Sequence, residues 1–347
     1  MDEQRYRVAQ WATGNIGLRS LRAVIEHPQL DLVGLYVYSD AKVGRDAGEL
    51  CGLDPVGVTA TRDIDDILAA APDCVVYMGD RADIDVMCQL LEGGINLVCT
   101  RSEFHRPAGL DTDIRNRIEA ACAEGGTTLH STGVSPGFIT EAMPFVLTSI
   151  QRRLDCLTIE EFADMSSRNS PEMIFKLMGF GRQPEDFDPT GTAQHEVAAF
   201  GPSLAMVADA LSLPLDDIVG TGEAAVARKT TEIAAGTVEA GTVAAQRFEV
   251  KGVHGGRTLL RFRANWYLTT DVEPAWDLRE TGWHLLVEGD TPLDIDIRFP
   301  VPAEEYPTMS PGLTAHRPVN AIPYVVAASP GIRTTAELPQ IIANLGR

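Results

Sequence analysis

Apolar residues in the first third of the chain recur with two alternating periods. Short, almost uniformly apolar runs at Tyr6–Trp11, Leu30–Tyr38, Cys74–Tyr77 and Ile95–Cys99 predict strands buried on both faces of a parallel sheet. Between these runs the apolar positions recur at helical spacing, as they do over Ile16–Ile25. Strands that alternate with helices in this way predict a doubly wound α/β domain.

A different pattern occupies residues 223–299, where polar and apolar residues alternate along long segments. This period of two is typical of an antiparallel sheet with one solvated or partner-covered face. Because an open sheet face often packs against its own copy, we expect a homodimer. The predicted strands are Leu154–Phe162, Ala225–Ala234, Gly241–Val250, Thr258–Leu268, Trp283–Glu288 and Leu293–Phe299, with helices at Pro171–Phe180 and Ser203–Leu213.

The turn after the first strand carries a glycine motif. Gly14 and Gly17 match the dinucleotide-binding fingerprint, with Ala12 in place of its first glycine. Gly14 would let the backbone approach a pyrophosphate, and Gly17 would let the helix pack closely on the strand. The alternative is an ordinary strand–helix turn, because glycine also marks such turns. The candidate cofactor-binding residues of this turn are Thr13, Gly14, Asn15, Ile16 and Gly17.

Further cofactor candidates follow the carboxyl ends of later strands, where ligands of doubly wound sheets lie. Ser39, Lys42 and Arg45 could hold the 2′-phosphate of NADP, since Asp40 comes late for the ribose contact of NAD enzymes. The alternative is a solvated loop, and we predict NADP with NAD still possible. Met78, Gly79 and Thr100 follow the next strands, and Asn320 would open a later helix, binding the nicotinamide or capping that helix.

Glycine and proline mark the predicted domain boundary. The run Gly133–Phe138 contains two glycines and one proline, which favour a rigid crossing. We predict an α/β Rossmann-type dinucleotide-binding domain at residues 1–135. A substrate-binding and dimerisation domain of α+β type, with a largely antiparallel sheet, follows at residues 136–315. Residues 316–347 are predicted to form C-terminal helices, Pro318–Ser329 and Thr335–Leu345, that return to the first domain.

Composition narrows the range of partners. The 347 residues include 49 acidic and 29 basic side chains, a net charge of −20, which disfavours nucleic acid and anionic membranes. No apolar signal region or membrane-length run is present, so we expect a cytoplasmic protein. The six cysteines and seven histidines follow no metal or redox spacing, so we expect reduced thiols and no metal site.

Five motifs together resemble one known family. They are Ala12–Gly17, Thr100–Glu103, Gly133–Phe138, Met178–Gly181 and Val319–Pro323. In combination they resemble the NAD(P)-dependent native amine dehydrogenases, relatives of diaminopentanoate dehydrogenase whose first domain is similar to dihydrodipicolinate reductase. The chain has no His-His-x-x-Lys run of the kind used by that reductase, so a lysine-biosynthesis role is not expected.

The resemblance implies reductive amination of small ketones or aldehydes with ammonia, and the reverse deamination. It also implies that Glu103, in the loop after the strand Ile95–Cys99, faces the substrate nitrogen. A carboxylate there could bind ammonium, accept a proton and stabilise the iminium cation before hydride transfer. The alternative is a surface glutamate that pairs with Arg101 or Arg106.

Several other side chains have two readings. Phe138, Met178 and Phe180 could line an apolar pocket for a small alkyl ketone, or they could be ordinary core residues. His105 and His130 could transfer protons, although a histidine beside a strand end is more often a structural hydrogen-bond partner.

Two other functions stay open. The first is an imine reductase or diamino-acid dehydrogenase on the same frame, in which Arg168 or Asp164 could hold a second polar group of the substrate. The second is a nucleotide-binding sensor without turnover.

Overall fold

The computed structural model describes residues 5–346 and divides them into two compact units. The first unit contains the residues up to 138 and those from 308 onward, and the second contains residues 139–307. None of the helices found in residues 5–346 has both the length and the apolar character needed to cross a bilayer. The boundaries predicted at residues 135 and 315 stay predictions.

The first unit is built on a seven-stranded parallel sheet. Six strands follow in chain order: β1 (Tyr6–Trp11), β2 (Leu30–Tyr36), β3 (Ala60–Thr61), β4 (Cys74–Tyr77), β5 (Asn96–Cys99) and β6 (Thr128–Ser131). The spatial order is β6-β5-β4-β1-β2-β3, and a seventh strand, Gly331–Arg333, pairs in parallel with β6. This topology confirms the predicted α/β domain of Rossmann type, and the seventh strand is one that the hydrophobic pattern did not predict.

Helices cover both faces of this sheet, because its strands are buried along almost their whole length. They are α1 (Asn15–Glu26), α2 (Ala47–Leu50), α3 (Ile64–Ala69), α4 (Ile84–Glu92) and α5 (Thr112–Gly125). Aspartates cap four of them, since Asp46, Asp63, Asp83 and Asp111 accept hydrogen bonds from backbone N–H groups in the first turns of α2, α3, α4 and α5. Each such cap contributes about 1 kcal/mol to helix stability.

The second unit contains a seven-stranded mixed sheet that is antiparallel except for one pair. Its elements are α6 (Met143–Thr148), β7 (Leu154–Asp164), α7 (Pro189–Ala210), β8 (Asp217–Ala227), β9 (Thr231–Ile233), β10 (Gly236–Val238), β11 (Val243–His254), β12 (Arg257–Tyr267), β13 (Val272–Glu273), β14 (Gly282–Gly289) and β15 (Leu293–Arg298). The order is β13-β8-β11-β12-β7-β14-β15, with β12 and β7 parallel, and β9 and β10 form a separate hairpin. The largely antiparallel character confirms the prediction.

Helix α7 covers one face of this sheet. The ring of Phe200 stacks on Phe262 of β12 at 4.0 Å between centroids. Where the helix crosses β8, a Cβ on Gly220 would lie 2.8 Å from the carbonyl oxygen of Ala193, so only glycine fits there. This contact explains why the predicted strand Ala225–Ala234 is wrong. The real strand starts at Asp217, carries Gly220 and Gly222 where α7 packs on it, and ends at Ala227.

The last part of the chain differs most from the prediction. Helix α8 spans Tyr306–Val326 and runs through three prolines, so Asn320 lies inside the helix and cannot cap it. No helix forms over Thr335–Leu345, which corrects the second of the two predicted C-terminal helices, whereas α8 contains most of the first, Pro318–Ser329. Pro339 removes a backbone donor there, and Leu338 packs into the core beside the parallel sheet instead.

Candidate functional site

The fingerprint turn of the first unit has the geometry that a pyrophosphate needs. Ala12 adopts a φ of 72°, the conformation for which the fingerprint ordinarily supplies glycine. A Cβ on Gly17 would lie 2.4 Å from the carbonyl oxygen of Ala12, so glycine is required for this close packing. Gly14 and Asn15 are exposed, whereas Thr13 is buried.

The N-terminal end of helix α1 has neither a side-chain cap nor an acidic residue of its own. Its cap residue, Gly14, makes no side-chain hydrogen bond, and its first turn contains no acidic residue. A 12-residue helix therefore presents the N–H groups and positive dipole end of its first turn. The turn from Thr13 to Gly17 therefore fits a pyrophosphate, and the assignment of these residues to the cofactor stays a prediction.

The loop after β2 contributes Lys42 to this turn. Its Nζ donates to both the carbonyl oxygen and the Oγ1 of Thr13, each at 2.9 Å. Ser39 precedes the single-turn helix Asp40–Lys42, where Asp40 pairs with Arg62. Arg45 is exposed. The structure thus brings Lys42, but not the Arg45 guanidinium, into contact with the fingerprint turn.

Tyr38 belongs to the same edge, and sequence reasoning missed it. Its hydroxyl accepts a hydrogen bond from Trp11 Nε1 at 2.9 Å, and it lies 3.2 Å from the position of a Cβ on Gly79. The side chain is 50% exposed. An exposed aromatic ring at this edge of the sheet can stack on a base of the cofactor. The sequence feature that could have identified Tyr38 is its position one residue before the candidate Ser39.

The predicted residues after β4 and β5 also meet. Thr100 Oγ1 lies 3.9 Å from Met78 Sδ, which brings the ends of these neighbouring strands together. Gly79 leaves little room for a side chain, since a Cβ there would lie 3.0 Å from the ring of Tyr77. The carboxyl edge of the sheet therefore gathers the fingerprint turn, Met78, Gly79 and Thr100 in one place.

Glu103 lies on the single helical turn Ser102–His105 that follows β5. Its side chain is 34% exposed, and Oε1 accepts a hydrogen bond from Arg101 Nε at 3.1 Å. Within the described residues, Oε2 has no hydrogen-bond partner. The ion pair with Arg101 that the alternative reading expected is present, yet it leaves one carboxylate oxygen open to solvent and ligand.

Buried neighbours fix the loop that carries Glu103. Phe104 and His105 are 1% and 2% exposed, so they anchor the turn on both sides. Ser131 Oγ donates to the carbonyl oxygen of Arg101 at 2.7 Å, and the Arg101 guanidinium also donates to the carbonyl oxygen of Asp80. Arg101 thus joins Glu103 to the loop after β4, a link that spacing alone did not predict.

The two candidate histidines, His105 and His130, are buried, and their surroundings do not resemble those of a proton-transfer residue. His130 is fully buried on β6, and its Nδ1 lies 2.7 Å from the carbonyl oxygen of Arg333 on the seventh strand. This hydrogen bond joins two strands, which favours the structural reading of His130. His105 is buried in the turn beside Glu103.

The remaining candidates are divided between the units. In the first unit, Asn320 is partly buried on α8, and Phe138 lies under the Arg317 guanidinium at 5.8 Å. In the second unit, Phe180 is 1% exposed inside a hydrophobic cluster, which favours core packing. The partly buried Met178 borders the same cluster, and its carbonyl oxygen accepts from Gln246 at 2.7 Å.

The second unit contains the two side chains of the rival reading. Asp164 lines a cavity of about 580 Å³ together with Tyr267, Arg279, Phe299 and Tyr306. Asp164 Oδ1 accepts from the backbone N–H of Ser166 at 2.9 Å. Arg168 lies close enough to Tyr306 for its charge to affect the phenol. Over residues 5–346, no group of three or more His, Cys, Asp or Glu side chains could hold a metal ion.

Comparisons with known proteins agree with this geometry. The model of the 2,4-diaminopentanoate dehydrogenase C-terminal domain matches residues 138–347, and that of the dihydrodipicolinate reductase N-terminus matches residues 11–106. An amine dehydrogenase of Streptomyces virginiae is 31% identical over 97% of this chain and 98% of its own. A 2,4-diaminopentanoate dehydrogenase of Acetoanaerobium sticklandii is 24% identical, over 84% and 80% of the two chains. An amine dehydrogenase structure from Mycobacterium smegmatis superposes with a TM-score of 0.77 at 20% identity, over 98% and 97%, and so shares the fold.

The parallel sheet and the fingerprint turn define the class: oxidoreductases that use a nicotinamide cofactor on a Rossmann-type domain. Within that class the chain belongs to the family of the amine and 2,4-diaminopentanoate dehydrogenases. This confirms the predicted family and the predicted class of activity, an NAD(P)-dependent oxidoreductase acting on CH–NH₂ groups.

Proposed function

We propose that the chain catalyses reductive amination of small ketones or aldehydes with ammonia, and the reverse deamination, with Glu103 as its catalytic carboxylate. The observation that carries this proposal is the open Oε2 of Glu103 at the carboxyl edge of the parallel sheet, close in sequence to Thr100. The balanced reaction joins the carbonyl compound, ammonia, NAD(P)H and a proton to give the amine, water and NAD(P)⁺.

Glu103 can serve two steps of this reaction. Its free carboxylate oxygen holds an ammonium ion and accepts the proton whose loss makes ammonia nucleophilic. The same negative charge stabilises the iminium cation that forms when water leaves. The nicotinamide cofactor supplies the hydride when it is bound. Arg101 fixes the other oxygen of Glu103 and thereby holds the carboxylate in one orientation.

A cofactor-oxidation assay tests this proposal. Loss of NADPH or NADH absorbance is followed with small ketones in concentrated ammonium buffer at mildly alkaline pH, beside an ammonium-free control. We expect oxidation only when ketone and ammonium are both present. Oxidation without ammonium would identify an alcohol dehydrogenase. Absence of oxidation, with cofactor binding retained, would favour imines or diamino acids as substrates, or a sensor.

We also propose that NADP is preferred over NAD. Lys42 provides a positive charge next to the fingerprint turn, where the ribose 2′-phosphate would lie, and Ser39 provides a hydroxyl in the same loop as Lys42. Asp40, the nearest acid, pairs with Arg62. Because the Asp40 carboxylate is engaged in this ion pair, it accepts a hydrogen bond from the 2′-hydroxyl of NAD less well than a free carboxylate would.

The substitution Lys42→Ala should weaken NADP⁺ binding more than NAD⁺ binding. The lost charge-assisted hydrogen bond to the 2′-phosphate corresponds to about ten- to hundredfold in the ratio of the two dissociation constants. The ratio matters because Lys42 also positions Thr13 and therefore affects both cofactors. Calorimetric titration of both cofactors measures it, with Lys229→Ala in the second unit as a control. An unchanged ratio would contradict the assignment.

The remaining proposals concern assembly and location. We propose that the protein forms a homodimer through its second unit, which serves as the substrate-binding and dimerisation domain. We also propose that the protein is cytoplasmic. One face of its sheet carries the interleaved charges of Glu160, Glu249, Arg261 and Arg263, which are 13–29% exposed although α7 covers the opposite face. Alternating charges suit a self-complementary interface. Light scattering during gel filtration measures the assembly.

A further inference from the structure

Glu161 lies on the helix-covered face of the second unit's sheet. Its Oε1 accepts a hydrogen bond from Trp266 Nε1 at 3.1 Å, and its Oε2 accepts from Trp283 Nε1 at 3.2 Å. Both donors are neutral, so the carboxylate is oriented without being neutralised. Two of the four tryptophans of the chain are used to hold this one side chain.

Glu196 faces the same part of the sheet from α7. Ala193 and Phe200, three residues before it and four after it, both contact the sheet, and this spacing puts Glu196 on the same helix face. Glu196 is only 5% exposed and has no hydrogen-bond partner within the described residues. Burial and the charge of Glu161 together raise the pKa of Glu196 to about 7.

Aromatic rings extend from this acidic pair. Trp283, which donates to Glu161, contacts Phe299 at 4.8 Å between ring centroids, and Phe299 contacts Tyr306 at 5.6 Å. Burial, together with the nearby charge of Glu161, raises the pKa of Tyr306 to about 12, so the phenol is neutral. Phe299 and Tyr306 also line the cavity of about 580 Å³.

The acidic pair lacks a positive partner of its own. Among the ion pairs formed by residues 5–346, none includes Glu161 or Glu196. Arg168 lies near Tyr306, but its charge does not contribute to the pKa shift of Glu196. A buried carboxyl without a hydrogen bond costs stability, and a cationic ligand would remove that cost.

We propose that Glu161 and Glu196, with the rings of Trp266, Trp283 and Tyr306, bind a primary alkylammonium group. Such a group has three N–H donors and can donate to both carboxylates. Its positive charge is also attracted to the faces of indole and phenol rings, and its alkyl chain suits an aromatic wall.

The chemistry favours an organic cation over a metal ion. Both oxygens of Glu161 already accept indole N–H groups, which occupy positions that a divalent cation would need. Two carboxylates and aromatic rings also fall short of the six to eight oxygen ligands that Ca²⁺ takes.

The site therefore selects organic cations over neutral molecules of the same chain length and over carboxylates, which the acidic pair would repel.

Direct binding tests the site without turnover. Calorimetric titration of the full chain with n-pentylammonium chloride at pH 7.5 should show saturable binding. Pentan-1-ol and sodium pentanoate, which have the same chain length, should bind at least about tenfold more weakly. Glu161→Gln and Glu196→Gln should each weaken n-pentylammonium binding about ten- to hundredfold.

A matched control separates the site from general charge. Glu288→Gln removes one charge from an exposed position on β14, and it should leave n-pentylammonium binding unchanged. Equal weakening in this control, or equal binding of pentan-1-ol, would overturn the proposal. So would competition by Ca²⁺ or Mg²⁺ chloride at the same ionic strength, since it would indicate a metal site.

Discussion

Glu103→Gln should lower kcat/KM for reductive amination by about 10²- to 10⁴-fold, because a glutamine amide neither accepts a proton nor carries the negative charge. The amide keeps the size of the side chain and can still accept a hydrogen bond from Arg101 through its oxygen. Cofactor affinity should therefore stay at the wild-type value. Steady-state NADPH oxidation with ketone and ammonium, beside calorimetric NADP⁺ binding, measures the two quantities separately.

A control variant makes this result specific to position 103. Glu124→Gln removes the same charge from an exposed site at the end of α5, and its activity should equal that of the wild type. If Glu103→Gln retained more than about a tenth of wild-type kcat/KM, Glu103 would be no more than a surface partner of Arg101.

The predictable parts of the site are those fixed by short-range backbone geometry. The spacing of Gly14 and Gly17 after an apolar run already requires a strand, a tight turn and a helix. The structure adds the reason, since a Cβ on Gly17 would clash with the Ala12 carbonyl. Period-two alternation likewise predicted β12 and β15 to within a residue or two at each end.

The parts that sequence reasoning missed depend on contacts between distant segments. β8 carries Gly220 and Gly222 because α7 packs on its backbone there, so the apolar alternation is interrupted in its first half. Helix α8 passes through three prolines, each of which ordinarily predicts a boundary, and this placed Asn320 at a helix start that does not exist. The Thr335–Leu345 segment has a helical pattern, but Pro339 lies within it.

The acidic pair was missed for a related reason. Glu161 and Glu196 are 35 residues apart and sit in segments whose pattern indicates only strand and helix. Neither has a motif around it, and an acid at a single core position resembles an interruption of the apolar pattern. Only the packing of α7 on β8, β11 and β12, with β7 paired beside β12, brings the two carboxyl groups together, and this packing follows from tertiary structure.

Glu196→Gln should change how stability depends on pH. The carboxyl of Glu196 has a pKa of about 7 in the folded chain, against an ordinary 4.5 when unfolded. Between these values the folded chain holds a proton that the unfolded chain releases. The contribution of Glu196 to the free energy of unfolding of the wild type therefore falls as pH rises from about 4.5 to 7, by up to about 3 kcal/mol.

The variant has no proton to lose at this position. The difference in free energy of unfolding, variant minus wild type, should therefore grow in favour of the variant over the same interval and stay constant above about pH 8. His284, whose pKa is raised by Glu160 and Asp294, also makes stability fall with rising pH, but it is present in both proteins and cancels in the difference. Urea unfolding of the second unit at pH 5, 6, 7 and 8, followed by tryptophan fluorescence, measures this difference. Glu288→Gln should reproduce the wild-type slope, and a pH-independent difference for Glu196→Gln would show that the Glu196 carboxyl is ionised in the folded chain throughout this range.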